Sequence, residues 1–277
     1  MENCVRLAVL SRELHIGQVL DNRFEITSLI DQGGMATVYK ALDRQTRHAV
    51  AMKVPHAEFE LSRTSLGRLA HEAAVLAKLN HPGIPKIIPT PEKSRPYVVL
   101  EWFEGETLYD FLKRTRPLPI VDALAFASRL CEMLEHMHEH GIIHCDIKPG
   151  NIIISDGSTP HIIDFGISKM TAHEPIVFLW FSPQMTGTPE YMAPEQMQGD
   201  RTDRRTDVYS LGAVLYEMVT GMPPFPQDDT NGNVERRSIV HCCRRVIATP
   251  PSANRSKRSY CTPWHRGPQI GTSLPQR

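Results

Sequence analysis

The stretch His144-Cys145-Asp146-Ile147-Lys148-Pro149-Gly150-Asn151 is followed, thirteen residues beyond Asn151, by Asp164-Phe165-Gly166. Together they set an acid, a lysine, an amide and a second acid at fixed intervals. That combination suits holding polyphosphate and metal ions while a hydroxyl attacks. Such chemistry rests on positioning and charge neutralisation more than on covalent catalysis.

Around this stretch the chain has ordinary globular proportions. Its 277 residues are 41% apolar and 22% charged, enough to bury one large core or two modest ones. Zero formal net charge gives no electrostatic argument for nucleic acid or membrane binding, and no nucleic acid partner is expected. The zero hides an asymmetry: residues 226–277 hold nine Lys/Arg against three Asp/Glu, while residues 1–225 hold 22 against 28. The basic end lacks aromatic interleaving.

Six cysteines (Cys4, Cys131, Cys145, Cys242, Cys243, Cys261) show no CxxC, which argues against a disulfide framework or zinc site. The apolar run Ile176–Phe181 is too short to span a bilayer, and Val5–Leu10 lacks the length and cleavage site of a signal peptide. The expected setting is therefore reducing and cytoplasmic, with no transmembrane segment.

Towards the N-terminus, Phe24–Ile30, Thr37–Leu42 and His48–Val54 are short, apolar or β-branched, and separated by turn residues. They predict three antiparallel strands. The turn Asp31-Gln32-Gly33-Gly34-Met35-Ala36 could bring backbone N–H groups close to a polyphosphate, or could be an ordinary hairpin. Leu66, Leu69, Ala70, Ala73, Leu76 and Ala77 recur at helical spacing up to Asn80 and Pro82. Tyr97–Leu100 reads as a buried strand broken at Glu101-Trp102-Phe103-Glu104-Gly105. Ile120–His140 and the segment from Asp207 to Gly221 predict two further helices. His136, His138 and His140 lie near the end of the first of these, where the helix dipole favours them, and no carboxylate or cysteine cluster completes a metal site.

Seven ordered motifs over residues 20–225 resemble the protein kinase superfamily, in particular bacterial (Hanks-type) serine/threonine kinases. They include Gly33-Gly34-Met35-Ala36-Thr37-Val38-Tyr39, Val50-Ala51-Met52-Lys53, the catalytic-loop pattern H-R-D-x-x-x-x-N, D-F-G, and Gly187-Thr188-Pro189-Glu190-Tyr191-Met192-Ala193-Pro194-Glu195. The resemblance implies an α+β, two-lobed fold: a small antiparallel sheet with one helix, and a larger helical lobe whose C-terminal helices are incomplete. It implies ATP as nucleotide, Mg2+ as metal with Mn2+ as the alternative, and transfer to Ser/Thr hydroxyls of proteins, autophosphorylation included. By the same resemblance Asp146 accepts the hydroxyl proton and Lys148 neutralises the transferring phosphoryl, while Asn151 and Asp164 hold metal. Lys53, paired with Glu72, contacts the phosphates, and Gly33 and Gly34 cover them. Leu100 is the gatekeeper, Glu101 and Phe103 bind the adenine edge, and Val38, Ala51 and Ile153 sandwich the ring. Asp207 anchors the catalytic loop.

Three features depart from that pattern. Asp31 stands where the first loop glycine belongs, which predicts phosphate repulsion and a strained φ. Cys145 replaces an arginine that would pair with a phosphate on the activation loop; cysteine cannot make that pair, and Ile176–Phe181 could pack against the lobe instead. Beyond residue 225, Asn233–Ala248 predicts one helix, Pro250-Pro251-Ser252 still resembles a family connection, and Asn254–Arg277 reads as disordered, a truncated or frame-shifted end. The arginine that should pair with Glu195 has no counterpart, which predicts an unpaired buried carboxylate at a cost of about 3–5 kcal/mol. The expected organisation is an extension over 1–22, a small lobe over 23–100, an incomplete large lobe over 101–248 and a basic tail over 249–277. Two alternatives to a working kinase remain: a non-catalytic nucleotide-binding scaffold, and an unstable fragment. Protein substrate, upstream signal and oligomeric state stay open.

Overall fold

The structure, a computed structural model, describes residues 13–34, 36–56, 59–60, 62–170 and 189–225. The run Ile176–Phe181, the helix expected at Asn233–Ala248 and the basic tail lie outside the described residues.

The first half builds a five-stranded antiparallel sheet in the order β1-β2-β3-β4-β5, from β1 (Val19–Leu20), β2 (Phe24–Gln32), β3 (Ala36–Asp43), β4 (Ala49–Pro55) and β5 (Val98–Glu101). Strict alternation shapes its two faces. Thr37, Tyr39 and Ala41 of β3 and Val50, Met52 and Val54 of β4 are buried; Val38, Lys40, Ala51 and Lys53 take the opposite face. The buried set forms a core with Leu14, Leu20, Phe24, Ile26, Tyr97 and Val99. Leu14 and Leu20, in the stretch read from sequence as an extension, thus pack inside the sheet's own core.

β2 pairs with β3 through two register shifts, one of them between Leu29 and Asp31. Asp31 pairs with Val38 and is absent from the non-glycine residues of positive φ. The strain expected there does not exist, because the strand continues past Asp31 in extended backbone and the turn begins after it.

Helix α1 (Arg63–Leu76) starts at Ser62, whose Oγ accepts from the Ser65 amide at 3.4 Å. Leu69, Val75 and Leu76 point into the second, larger core, which also takes Leu130, Met133 and Met137 from below. Below the sheet lie α2 (Leu108–Thr115), α3 (Ile120–Glu139), the short α4 (Pro194–Gln198) and α5 (Arg204–Thr220). Gly141 and Gly221, at φ 69° and 80°, follow the ends of α3 and α5 as the expected stops. β6 (Glu106–Thr107), just before α2, joins β8 (Ile152–Ser155) and β9 (Thr159–Ile162) in a β6-β8-β9 sheet, and β7 (Ile142–Ile143) pairs with β10 (Lys169–Met170).

The fold is thus α+β and two-lobed, and the larger core runs from α1 and β5 of the small lobe into the helical lobe. Glu195 corrects a further expectation. It is half-buried rather than fully buried, and its Oε1 accepts from Thr206 Oγ1 at 2.7 Å. A hydroxyl on α5 supplies the bond for which an arginine was expected. No helix among the described residues is long and apolar enough to cross a membrane.

Candidate active site

Lys53 projects into the cleft because β4 alternates: its neighbours Met52 and Val54 fill the core, so Lys53 cannot. Its Nζ lies 2.8 Å from Glu72 Oε2 on α1 and 2.7 Å from Asp164 Oδ1, a residue 111 positions away. Burial alone would depress the Lys53 ammonium's pKa; the Glu72 and Asp164 charges reverse this and hold it above its ordinary value. Burial pushes the Glu72 carboxyl upward, with Asp164 adding to the rise and Lys53 opposing it. Asp164 sits among dense surroundings that would raise it, yet Lys53 holds it at about 2. With 44% of its side chain accessible, it is a partly buried, ionised carboxylate.

Asp164 is also backbone-strained. Its φ of 63° puts a non-glycine residue in the left-handed region. The turn is held from both sides. Phe165 is fully buried, with its ring edge-on to His144 at 4.9 Å, and its amide donates to Glu72 Oε1 at 3.4 Å. Ile163 donates to the Asn151 carbonyl at 2.9 Å, tying this turn to the 144–151 loop.

That loop hangs on one buried carboxylate. Asp207, with no exposed surface, accepts from the amides of His144 (2.9 Å) and Cys145 (2.8 Å) and contacts His138 Nε2 at 2.8 Å. The loop's own side chains then converge. Asp146 Oδ2 accepts from Lys148 Nζ and from Asn151 Nδ2, each at 2.8 Å, and Asn151 Nδ2 also donates to the Asp146 carbonyl at 2.9 Å. A small concavity beside Asp146 is lined, among the described residues, by Cys145, Ile147, Tyr191, Met192, Gln196 and Ser210.

Val38 is the register partner of Lys53, and Ala51 that of Leu100. Ile153 is a partly buried residue of β8. Glu101 ends β5 and Phe103 follows it in the connection to β6. The two loop glycines differ. The Gly33 amide closes the turn on the Ala36 carbonyl at 3.1 Å, whereas a Cβ on Gly34 would meet nothing within 4 Å.

Sequence reasoning passed over His138. It was read as a dipole-favoured helix-end histidine, but its ring is the third group on Asp207. Nothing local announces this, because the partner lies 69 residues on. Gln196, whose Nε2 donates to the Cys145 carbonyl at 2.7 Å, was likewise unforeseen.

No cluster of three or more His, Cys, Asp or Glu among the described residues could cage a metal. Asn151 Oδ1 and Asp164 Oδ2 carry no hydrogen bond among the described residues, which leaves one amide oxygen and one carboxylate oxygen uncommitted. Such a sparse set of hard oxygens fits Mg2+, which keeps several waters and completes its shell with phosphate.

The description "Protein kinase domain" belongs to the family that matches residues 24–263 of the chain. A probable serine/threonine-protein kinase of Clostridium perfringens is 38% identical over 214 residues, covering 77% of this chain and 31% of the relative. The serine/threonine-protein kinase PknB of Mycobacterium leprae is 38% identical over 214 residues, covering 76% and 34%. PknB of Mycobacterium tuberculosis is 37% identical over 239 residues, covering 84% and 37%. The chain therefore spans about a third of the length of these curated relatives.

Proposed function

This chain belongs to the protein kinase family, and from that premise we propose that it transfers the γ-phosphoryl group of ATP to serine and threonine hydroxyls of proteins. The observation that carries the reading is Lys53 Nζ bonded at once to Glu72 and Asp164. A sheet residue, a helix residue and the Asp-Phe-Gly turn meet at one point, an assembly that structural stability alone does not require.

In this reading the adenine ring lies between Val38 and Ala51 above and Ile153 below. Its edge meets the Glu101 carbonyl and the Phe103 amide, with Leu100 behind. Lys53 meets the phosphates, Gly33 and Gly34 cover them, and Asp164 with Asn151 would hold Mg2+. The ion would supply charge neutralisation across the phosphate oxygens. Asp146 has one oxygen already held by Lys148 and Asn151, which leaves the other to receive the acceptor hydroxyl. The bond from the γ-phosphorus to the bridging oxygen breaks and a bond to the hydroxyl oxygen forms. The hydroxyl proton passes to Asp146, and ADP leaves. Lys148 offsets charge on the transferring group. An ATP-bearing, reducing compartment such as the cytoplasm fits the reading, supported by the free thiols of Cys131 and Cys145.

The test is transfer of radiolabelled phosphate from ATP to the protein itself and to a general serine/threonine substrate, with Asp146→Asn as control. Transfer by the wild type and its loss in the variant are expected. No transfer by well-folded wild type would favour the scaffold alternative.

A further inference from the structure

β9 brings to the cleft a side chain that the chemistry above does not use. His161 is the register partner of Ile153 across β8 and β9. Residues directly opposite in an antiparallel pair project to the same face, so His161 stands beside the residue taken as the floor under adenine. Its imidazole stacks on the Phe103 ring, with centroids 3.9 Å apart and planes 20° from parallel.

The ring is an odd choice for such a place unless its shape is used. His161 is only 9% exposed, and its Nδ1 has no hydrogen-bond partner among the described residues. Burial draws its pKa below the ordinary value, against the opposing pull of a hydrogen bond to the Pro82 backbone and of the Glu101 and Asp156 charges. Burying an imidazole with one nitrogen bare is unfavourable, a penalty that an aliphatic residue would avoid. What the aliphatic residue could not supply is a flat face for Phe103.

Phe103 needs such a face. It lies between β5 and β6, outside both strand ladders, so sheet pairing does not fix its backbone. The base of the stack is fixed: His161 is held in β9, and the next residue, Ile162, donates to the Gly83 carbonyl at 2.9 Å. We propose that His161 is a positioning residue, which by stacking against Phe103 sets the height and direction of the Phe103 amide and so the affinity for the adenine of ATP. The inference rests on the kinase reading for the role of that amide.

The experiment compares wild type, His161→Ala, His161→Leu and His161→Phe. Initial rates give KM for ATP, KM for the protein substrate and kcat; binding of methylanthraniloyl-ATP is followed by fluorescence. Loss of the stack should raise the ATP KM and the nucleotide Kd about three- to tenfold in the Ala and Leu variants, as an aromatic pair supports. The Phe variant, which keeps a ring and discards the nitrogens, should stay within about twofold of wild type. KM for the protein substrate and kcat should not move. The Leu variant fills the volume and keeps the comparison readable if Ala fails to fold. An unchanged nucleotide Kd in both Ala and Leu would overturn the proposal, as would a Phe variant as weak as Ala. A wild type that binds the fluorescent nucleotide but transfers no phosphate would sink the kinase reading instead, with the stack still read by binding alone.

Discussion

Cys145 shows how a single position in the 144–151 loop is constrained. Its φ of 64° costs a non-glycine residue about 1–2 kcal/mol. The charged hydrogen bond from its amide to Asp207, of a kind worth about 1.5–3 kcal/mol, offsets that cost and aims the loop. The side chain is buried, with Sγ 4.0 Å from Thr202 Oγ1, and that oxygen accepts from Lys169 Nζ at 2.8 Å. Burial first, then the Asp207 charge, pushes the thiol up to about 12, so the group is neutral at any physiological pH. A neutral thiol cannot pair with a phosphate as a guanidinium does, and Asp207 already holds the loop without one. Phosphatase-treated protein should therefore retain most of its transfer rate, measured against untreated protein. A large loss that returns on rephosphorylation would show that some other group reads a loop phosphate.

At the scale of elements, two glycines that look alike in sequence should behave oppositely. Gly105 has φ 148°, and a Cβ there would sit 2.2 Å from the Ile154 carbonyl oxygen, where β6 approaches β8. Backbone cannot give way as a flexible side chain can. Gly105→Ala should lose more than about 2 kcal/mol, read as a fall in melting temperature. Gly34 has ordinary φ and open space around its Cα, so Gly34→Ala should leave the melting temperature unchanged and raise KM for ATP. An unchanged KM would make the turn a plain hairpin. The same contrast marks what sequence could convey. Strands β2, β3 and β4 were legible because one buried face forces alternation, and α3 and α5 because each carries an apolar stripe and ends at a glycine. The two-residue strands β1, β6, β7 and β10 leave no local pattern, since only their partners define them. Lys53, Glu72, Asp146, Asn151 and Asp164 were named through the resemblance to the kinase motifs; Lys53 meets Glu72 and Asp164, and Asn151 meets Asp146. His138 and His161 were not legible, because their meaning lies in partners far along the chain. Asp31 and Glu195 were misjudged because neither backbone φ nor burial is written in residue identity.

The molecule as a whole is two lobes, joined by the larger core and by the Lys53–Glu72–Asp164 contacts. Acid should weaken the sheet's side of this arrangement through Asp43. Its side chain is 1% exposed, and the Arg23 guanidinium holds it at about 2. A depressed carboxylate contributes stability that is complete above its unfolded value of 3.8 and lost as pH falls towards 2, here about 2 kcal/mol. The melting-temperature gap between wild type and Asp43→Asn should thus narrow from pH 5 to pH 2, and a constant gap would mean that the pair adds nothing through charge. Nucleotide should act in the opposite sense, because a ligand held by groups from both lobes is lost when either opens. At a hundredfold excess over its Kd, Mg-ATP stabilises by about 2.7 kcal/mol, or about 5–10 °C for a chain of this size. A single cooperative melt that rises by this amount would remove the unstable-fragment alternative. Asp146→Asn should keep the rise while losing transfer, since in the proposed function Asp146 meets the acceptor hydroxyl and not the nucleotide. Lys53→Met should lose both, because it removes the cation that joins Glu72 to Asp164 and leaves Glu72 buried without its partner. A rise in wild type that survives Lys53→Met would place the bound nucleotide somewhere other than this cleft.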